Sequence, residues 1–344
     1  MNISTKIFLK KCFQEYYKNH QITGPTEINH REFGVGMLED KISIRHKSFK
    51  TTQDFNRYLK NEGPYYISYS TSYYCYPSLF PMSEKVWSGS DLVFDIDVHM
   101  DILNQKGLDL AKEETFKLID LLNDLSIESK DIKINYSGNR GYHVHVCRED
   151  INQLGKDERR EILDYTTGVG LNLYCDSNWR RKIQTCLGIF FDGAQLEDYK
   201  NIGFTKTQAE SLMRKASYIS KRVSEGCFNI RGVEGCINHV IKNICMRSFS
   251  SSDESVTTDL SRLIRVPDTL HGSTGLVAKT LTNLKDFNPL VDAIGIDSSH
   301  VLIDIKPVSF ELNGETLNLH GVNSIQKYVA VYCLLNGFGE IINQ

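Results

Sequence analysis

Asp95 and Asp97 are the two residues of this sequence whose type and spacing most directly suggest chemistry. They lie in the run Asp91-Leu92-Val93-Phe94-Asp95-Ile96-Asp97-Val98-His99, where Leu92, Val93 and Phe94 form a short apolar block of strand formers. A strand sends alternate side chains to one face, so the two carboxylates point the same way, with Cα atoms about 7 Å apart. Two such acids repel. Burying both in ionised form is unfavourable unless a divalent cation lies between them, and hard carboxylate oxygens suit Mg²⁺ or Mn²⁺. Taken alone, D-x-D reads equally well as a strand end with two solvated acids.

Two further stretches carry the complementary charge. In Ser137-Gly138-Asn139-Arg140-Gly141-Tyr142-His143-Val144-His145-Val146, a glycine-flanked basic turn precedes a strand whose alternation places His143 and His145 on one face. Glycines let backbone N–H groups approach a phosphate, and Arg and His supply charge-assisted donors. Arg262-Leu263-Ile264-Arg265-Val266-Pro267-Asp268-Thr269-Leu270-His271-Gly272-Ser273-Thr274-Gly275-Leu276 repeats that chemistry with two Arg, one His and a Gly-rich turn.

In this order, D-I-D, S-G-x-R-G-x-H and R-L-I-R-x-P-x-x-L-H-G-x-T-G-L resemble motifs of the catalytic small subunit of the archaeal and eukaryotic replicative DNA primase, most closely the archaeal form. His30-Arg31-Glu32-Phe33 and Ile42-Ser43-Ile44-Arg45 are similar to that family's R-E-F and I-x-I-R segments. The resemblance implies an α/β fold, a primase-type catalytic core over 1–148 and 251–344 with a helical subdomain inserted over 149–250. It implies DNA-directed RNA polymerase (primase) activity, in which short RNA primers are made from nucleoside triphosphates on a single-stranded DNA template through two Mg²⁺ or Mn²⁺ ions about 4 Å apart.

The same resemblance assigns Asp95 and Asp97 as metal ligands and places a third Asp upstream of R-L-I-R. Counting back from Pro267 without a gap gives Asp253, with Asp259 as the alternative; the plain reading of Asp259 is an N-cap for a short helix holding Leu260-Ser261-Arg262. Ser137, Arg140, His143, Arg265 and His271 are implied to bind the triphosphate, and Arg45 to lie over the active site. From spacing alone Arg45 is a solvated strand arginine and His143 an ordinary half-buried strand histidine. Asn139 stands where some relatives have a second Arg. A large subunit with an iron–sulfur domain is the implied partner in a heterodimer. Other primase-fold polymerases of repair or plasmid type are the nearest alternative, although these usually carry a ligase or helicase for which 344 residues leave no room. A metal-dependent phosphohydrolase or nuclease also uses D-x-D but does not need two basic Gly-rich turns.

Composition sets the remaining bounds. With 40% hydrophobic and 24% charged residues and a net charge of −3, the chain reads as globular, and contact with nucleic acid must come from a local basic groove. No apolar run approaches the ~20 residues of a membrane span and no signal-peptide core opens the chain, which predicts an intracellular protein, cytoplasmic if archaeal. The nine cysteines lack a C-x-x-C pair, so they read as reduced thiols. The family's small zinc site is not expected, because no Cys lies between 76 and 146 and the connection after D-I-D offers only His99.

The elements that must position these groups follow from periodicity. Helices are predicted over 3–19, from Thr52 or Gln53 to Asn61, over Leu108–Leu125, Asp157–Gly168, Thr205–Tyr218, Gly235–Cys245 and Ile325–Leu335. Strands are predicted over Glu32–Leu38, Ile42–Phe49, Tyr65–Tyr74, Asp131–Tyr136, Tyr142–Cys147, Leu276–Ala278 and His300–Glu311. Tyr76 to Gly89 reads as a loop. The six tyrosines between 65 and 76 read as a packed sheet face, with base stacking as the minority alternative. Trp179-Arg180-Arg181-Lys182 reads as a solvated helix face.

Overall fold

The computed structural model describes residues 1–170, 177–245 and 249–342. Two compact units divide the chain. Met1–Phe116, Ile127–Glu161 and the residues from Ser251 onward make the first, and Lys117–Ser126 with Ile162–Ser250 make the second. Residues 149–161 therefore go with the first unit, and Cys175 falls outside the described residues.

In the first unit, α1 (Ile3–Asn19) starts where the Asn2 side chain accepts from the Thr5 N–H, and it buries Leu9, Phe13, Tyr16 and Tyr17. Strands β1 (Phe33–Gly36) and β2 (Ile44–Lys47) follow. Next comes α2 (Thr52–Glu62), capped by the Thr51 hydroxyl and ended by left-handed Gly63. The predicted Tyr65–Tyr74 strand is two strands, β3 (Tyr66–Ser70) and β4 (Ser72–Tyr74), separated at Thr71. After β5 (Trp87–Ser90) comes β6 (Leu92–Asp97), the D-I-D strand. The helix α3 (Gln105–Asp124) leads to β7 (Ile132–Tyr136) and β8 (Gly141–Val146), then α4 (Glu149–Asn152) and α5 (Lys156–Thr167).

The second unit contains α6 (Ser177–Gly193), α7 (Leu196–Asn201), α8 (Lys206–Ser224) and α9 (Glu234–Asn243) around Leu187, Tyr199, Ile219, Ile237 and Val240. The solvated-face reading of Trp179-Arg180-Arg181-Lys182 fails at its first residue. Trp179 is fully buried, its ring stacked 4.0 Å from Phe249 and its indole N–H donating to the Tyr165 carbonyl.

The chain then adds α10 (Glu254–Thr258), β9 (Leu263–Arg265), β10 (Lys279–Leu281), α11 (Pro289–Asp292), β11 (His300–Leu312), β12 (Glu315–Gln326), α12 (Lys327–Leu335) and β13 (Gly339–Ile341). The strand predicted at Leu276–Ala278 is a pair of isolated bridges, Leu270 to Val277 and Leu276 to Ile294, and the ladder begins at Lys279. The helix predicted from Ile325 starts at Lys327, because Ile325 pairs with Val301 in the β11–β12 hairpin.

Two four-stranded antiparallel sheets carry the motifs. Their orders are β2-β1-β3-β9 and β10-β7-β8-β6. Late strands complete both: β9 pairs with β3, setting Arg265 opposite Ser68, and β10 pairs with β7. All six residues of β8 are buried, so this strand is covered on both faces instead of showing the half-buried alternation its sequence suggests. Phe13, Phe33, Phe55, Tyr65, Ile67 and Val331 belong to one core cluster.

Candidate active site

The antiparallel register of β6 and β8 sets Asp95 directly opposite His143 and Asp97 opposite Gly141. A side chain at 141 is impossible, since its Cβ would lie 1.7 Å from the Ile96 carbonyl oxygen. The turn before β8 closes through the Ser137 N–H donating to the Gly141 carbonyl, and the Ser137 hydroxyl accepts from the N–H groups of Asn139 and Gly141. Gly138 has φ +83°, and a Cβ there would come within 2.8 Å of the His271 Cβ. The third motif thus rests on the second, and the Thr274 hydroxyl, donating to the Gly138 carbonyl at 2.6 Å, fastens the two together.

This arrangement encloses a cavity of about 390 Å³. Its walls include Asp95, Asp97, Ser137, Arg140, His143, Arg265, His271 and Arg45, all of them singled out in the sequence, and also Asp259. It also includes residues that the sequence did not assign a role: Lys41, Ser68, Ser261 and Arg262. Arg262 carried a signal, being the first Arg of R-L-I-R. Lys41 carried none, as it reads as part of a tight turn and reaches the cavity only through tertiary packing.

The carboxylates behave as closely spaced charges. Burial first, then Asp97 and Asp253, push the Asp95 carboxyl up to about 7, against the pull of Arg262 and Arg140. Asp97 accepts from the Arg140 Nη2 at 2.8 Å, and the His143 Nε2 lies 3.6 Å from the Asp95 Oδ1. Asp253 lies beside this pair, its backbone N–H donating to the Asp95 carbonyl at 2.9 Å, while its carboxylate caps α10 by accepting from the Ser255 N–H. The Asp259 carboxylate is likewise occupied, by the N–H and hydroxyl of Ser261. Among the described residues no three His, Cys, Asp or Glu side chains converge as a ready metal cage. Asp95 and Asp97 nevertheless fit a divalent cation, because burial and then the neighbouring carboxylates disfavour the ionised Asp95, and hard oxygen ligands on one strand face suit such an ion.

The cavity wall also carries cations, Lys41, Arg45, Arg140, Arg262 and Arg265. Burial holds His143 down to about 3, and burial also keeps His271 well below the usual histidine range, so both are neutral donors or acceptors at ordinary pH. Burial lowers Arg265 to about 10, which leaves it charged. Its guanidinium lies 5.2 Å from the Tyr66 ring centre, and its Nη1 has no partner among the described residues. The Arg140 Nε is orphaned in the same way. A buried guanidinium N–H without an acceptor is unfavourable.

Arg45 is held by a buried acid. Its Nε donates to the Glu32 Oε1 and its Nη2 to the Ser261 carbonyl, each at 2.7 Å. Glu32 is fully buried and its Oε2 meets the equally buried Lys85 at 2.7 Å. Burial works to raise the Glu32 carboxyl, but Lys85 and Arg45 outweigh it and hold it below its ordinary value. Lys85→Met leaves the Glu32 Oε2 without its ion partner while Arg45 still holds Oε1, and the loss is expected to destabilise the protein by about 3 kcal/mol, the lower end for breaking a buried pair. Denaturant melts at pH 7 measure this directly; an unchanged midpoint would mean the pair is solvated. The predicted Ile42–Phe49 strand shrinks to Ile44–Lys47 because His46 takes a left-handed φ of 62° and the register shifts, which breaks strict alternation around Arg45.

The DNA primase small subunit family model matches residues 94–282. The chain is similar to the DNA primase small subunit PriS of Methanosarcina mazei, at 31% identity over an alignment that covers 99% of this chain and 97% of that protein. Against PriS of Methanococcoides burtonii the identity is 32%, with 99% of each chain covered. Against PriS of Archaeoglobus fulgidus it is 33%, covering 97% of this chain and 98% of the relative.

Proposed function

The chain belongs to the DNA primase small subunit family, and from that premise we propose that its cavity carries out template-directed nucleotidyl transfer, joining nucleoside triphosphates into short RNA primers on single-stranded DNA. The observation that carries this reading is the pairing of opposites in one cavity: two adjacent carboxylates on β6 face guanidinium groups with orphaned N–H donors. Carboxylates call for cations, and the orphaned donors call for a polyanion.

In this reading Asp95 and Asp97 hold Mg²⁺ or Mn²⁺, with Asp253 as third ligand once its side chain leaves the Ser255 N–H. Asp259 would have to give up Ser261 in the same way. The bound metal supplies charge neutralisation at the attacking and leaving oxygens. Arg265, Arg140 and Arg45 hold the triphosphate in line, and Ser137, His143 and His271 add hydrogen bonds. Positioning and fixed charge then provide most of the rate. Arg140, paired with Asp97 at 2.8 Å, is placed to exchange the carboxylate for a phosphate when nucleotide and metal arrive.

The partner in this reading is a separate large subunit. The cysteines have no cluster spacing, and a net charge of −3 gives the chain modest template affinity of its own. Extension of an annealed primer by the isolated chain, with slow unprimed initiation that a large subunit restores, is the expected result. The test is incubation with single-stranded DNA, labelled nucleotides and Mg²⁺ or Mn²⁺, with and without that subunit. Efficient unprimed synthesis by the lone chain at low nucleotide concentration would remove the dependence, and no nucleotide incorporation under any of these conditions would remove the reading itself.

A further inference from the structure

From the end of β4 to the first residue of β5 the chain exposes a run of apolar side chains: Tyr76, Leu79, Phe80, Met82, Val86 and Trp87. Phe80 is 79% exposed. The segment is nonetheless anchored. Lys85 beneath it is fully buried, donating to Glu32 and to the Pro77 carbonyl, and Val86 next to it is held at a left-handed φ of 53°. A fixed loop that presents this much apolar surface to water is unfavourable unless a ligand covers it.

Its surroundings indicate the ligand. The Phe80 ring lies 4.9 Å from the His46 ring, and His46 directly follows Arg45 of the cavity wall. The loop and the cavity also share one support, since Glu32 holds Lys85 with one oxygen and Arg45 with the other. Lys41, Arg45 and Arg262 put positive charge on the cavity side. Ring faces bordered by cations are the arrangement on which unpaired bases stack while their phosphates are held.

We propose that the Tyr76–Trp87 loop, with Phe80 at its tip, is a stacking platform for unpaired bases of the single-stranded template where it enters the nucleotide cavity. This rests on the primase reading for the identity of the strand. A base lost from an aromatic face weakens binding by roughly tenfold.

The protein contains its own reporter. Trp87 is 37% exposed within the loop, whereas the other tryptophan, Trp179, is fully buried. Titration of the full chain with a deoxythymidine oligonucleotide of about 16 nucleotides, without nucleoside triphosphate, is expected to quench the exposed tryptophan. Phe80→Ala should weaken that binding roughly tenfold and raise the template KM of primer synthesis by a similar factor, with the nucleotide KM unchanged. Phe80→Tyr should restore both. Equal oligonucleotide affinity in wild type and Phe80→Ala overturns the proposal. So does weaker association of Phe80→Ala with a large subunit at unchanged oligonucleotide affinity, which would make the loop a protein-docking surface. The titration needs no catalysis, so an inactive wild type that still binds the oligonucleotide through Phe80 would refute the primase reading and leave the platform standing.

Discussion

Asp95→Ala or Asp97→Ala should lower primer synthesis by roughly 10³-fold or more, because the neutralisation supplied at the reacting phosphate is lost with its ligand. Stability should move the other way. The carboxyl of Asp95 is raised in the folded protein to about 7 by burial, Asp97 and Asp253, above the value of about 3.9 for an unfolded chain. The native state therefore binds the extra proton between these values, and the metal-free protein loses stability as pH rises from about 4 to about 7. Asp95→Asn removes that loss. With partial solvent screening at a site whose side chain is 23% exposed, the gain at pH 8 is on the order of 2 kcal/mol, vanishing near pH 4. Saturating Mg²⁺ should stabilise the wild type at pH 8 and not the variant. Near wild-type synthesis in either alanine variant, or Asp95→Asn melting below wild type at pH 8 without metal, would refute the assignment of these carboxylates.

Arg265→Lys should reduce kcat/KM for the nucleotide by roughly 100-fold, about 2.7 kcal/mol, while leaving the melting temperature near wild type. The charge remains, but an ammonium cannot present the planar fork that reaches a phosphate from beside Tyr66. The Nη1 of Arg265 is buried without a protein partner, so the substitution breaks no protein hydrogen bond at that atom. Steady-state kinetics across nucleotide concentration separate the outcomes: loss in KM alone means ground-state binding, and loss in kcat means contact with charge developed in the transition state. Kinetics indistinguishable from wild type would place the triphosphate elsewhere.

Much of the cavity was legible because its groups lie within short motifs of fixed geometry. Strand alternation put Asp95 and Asp97 on one face and the glycines marked the Ser137 turn, but their roles came from the resemblance of the ordered motifs and not from the pattern alone. The third carboxylate was not legible to the same depth: counting back from Pro267 favours Asp253 with Asp259 as the alternative, whereas Asp259 is the one in the cavity wall and the Asp253 carboxylate caps α10. Ser68 reaches the site through the pairing of β3 with β9, strands far apart in sequence, and Lys41 from the segment between β1 and β2, and no local pattern marks either. One element left a signal that went unread. Asn313-Gly314, both at positive φ, form the hairpin turn between β11 and β12, and Asn-Gly between alternating residues is a strong hairpin indicator. The buried Trp179 illustrates the opposite failure, because three adjacent cations obscured a residue whose partner, Phe249, lies seventy positions away.

The late arrival of β9 beside β3 bears on how the protein is made. At a synthesis rate of about 5–20 residues per second, roughly 190 residues must follow Ser70 before Leu263 exists to pair with it. For roughly 10–40 seconds the nascent chain carries the β3 edge, Tyr66-Ile67-Ser68-Tyr69-Ser70, without its eventual neighbour. That edge is apolar, aromatic and open to pairing with other chains. Slowing translation downstream of β3, or removing chaperones during expression, should therefore increase aggregation of newly made chains far more than it alters refolding of the finished protein.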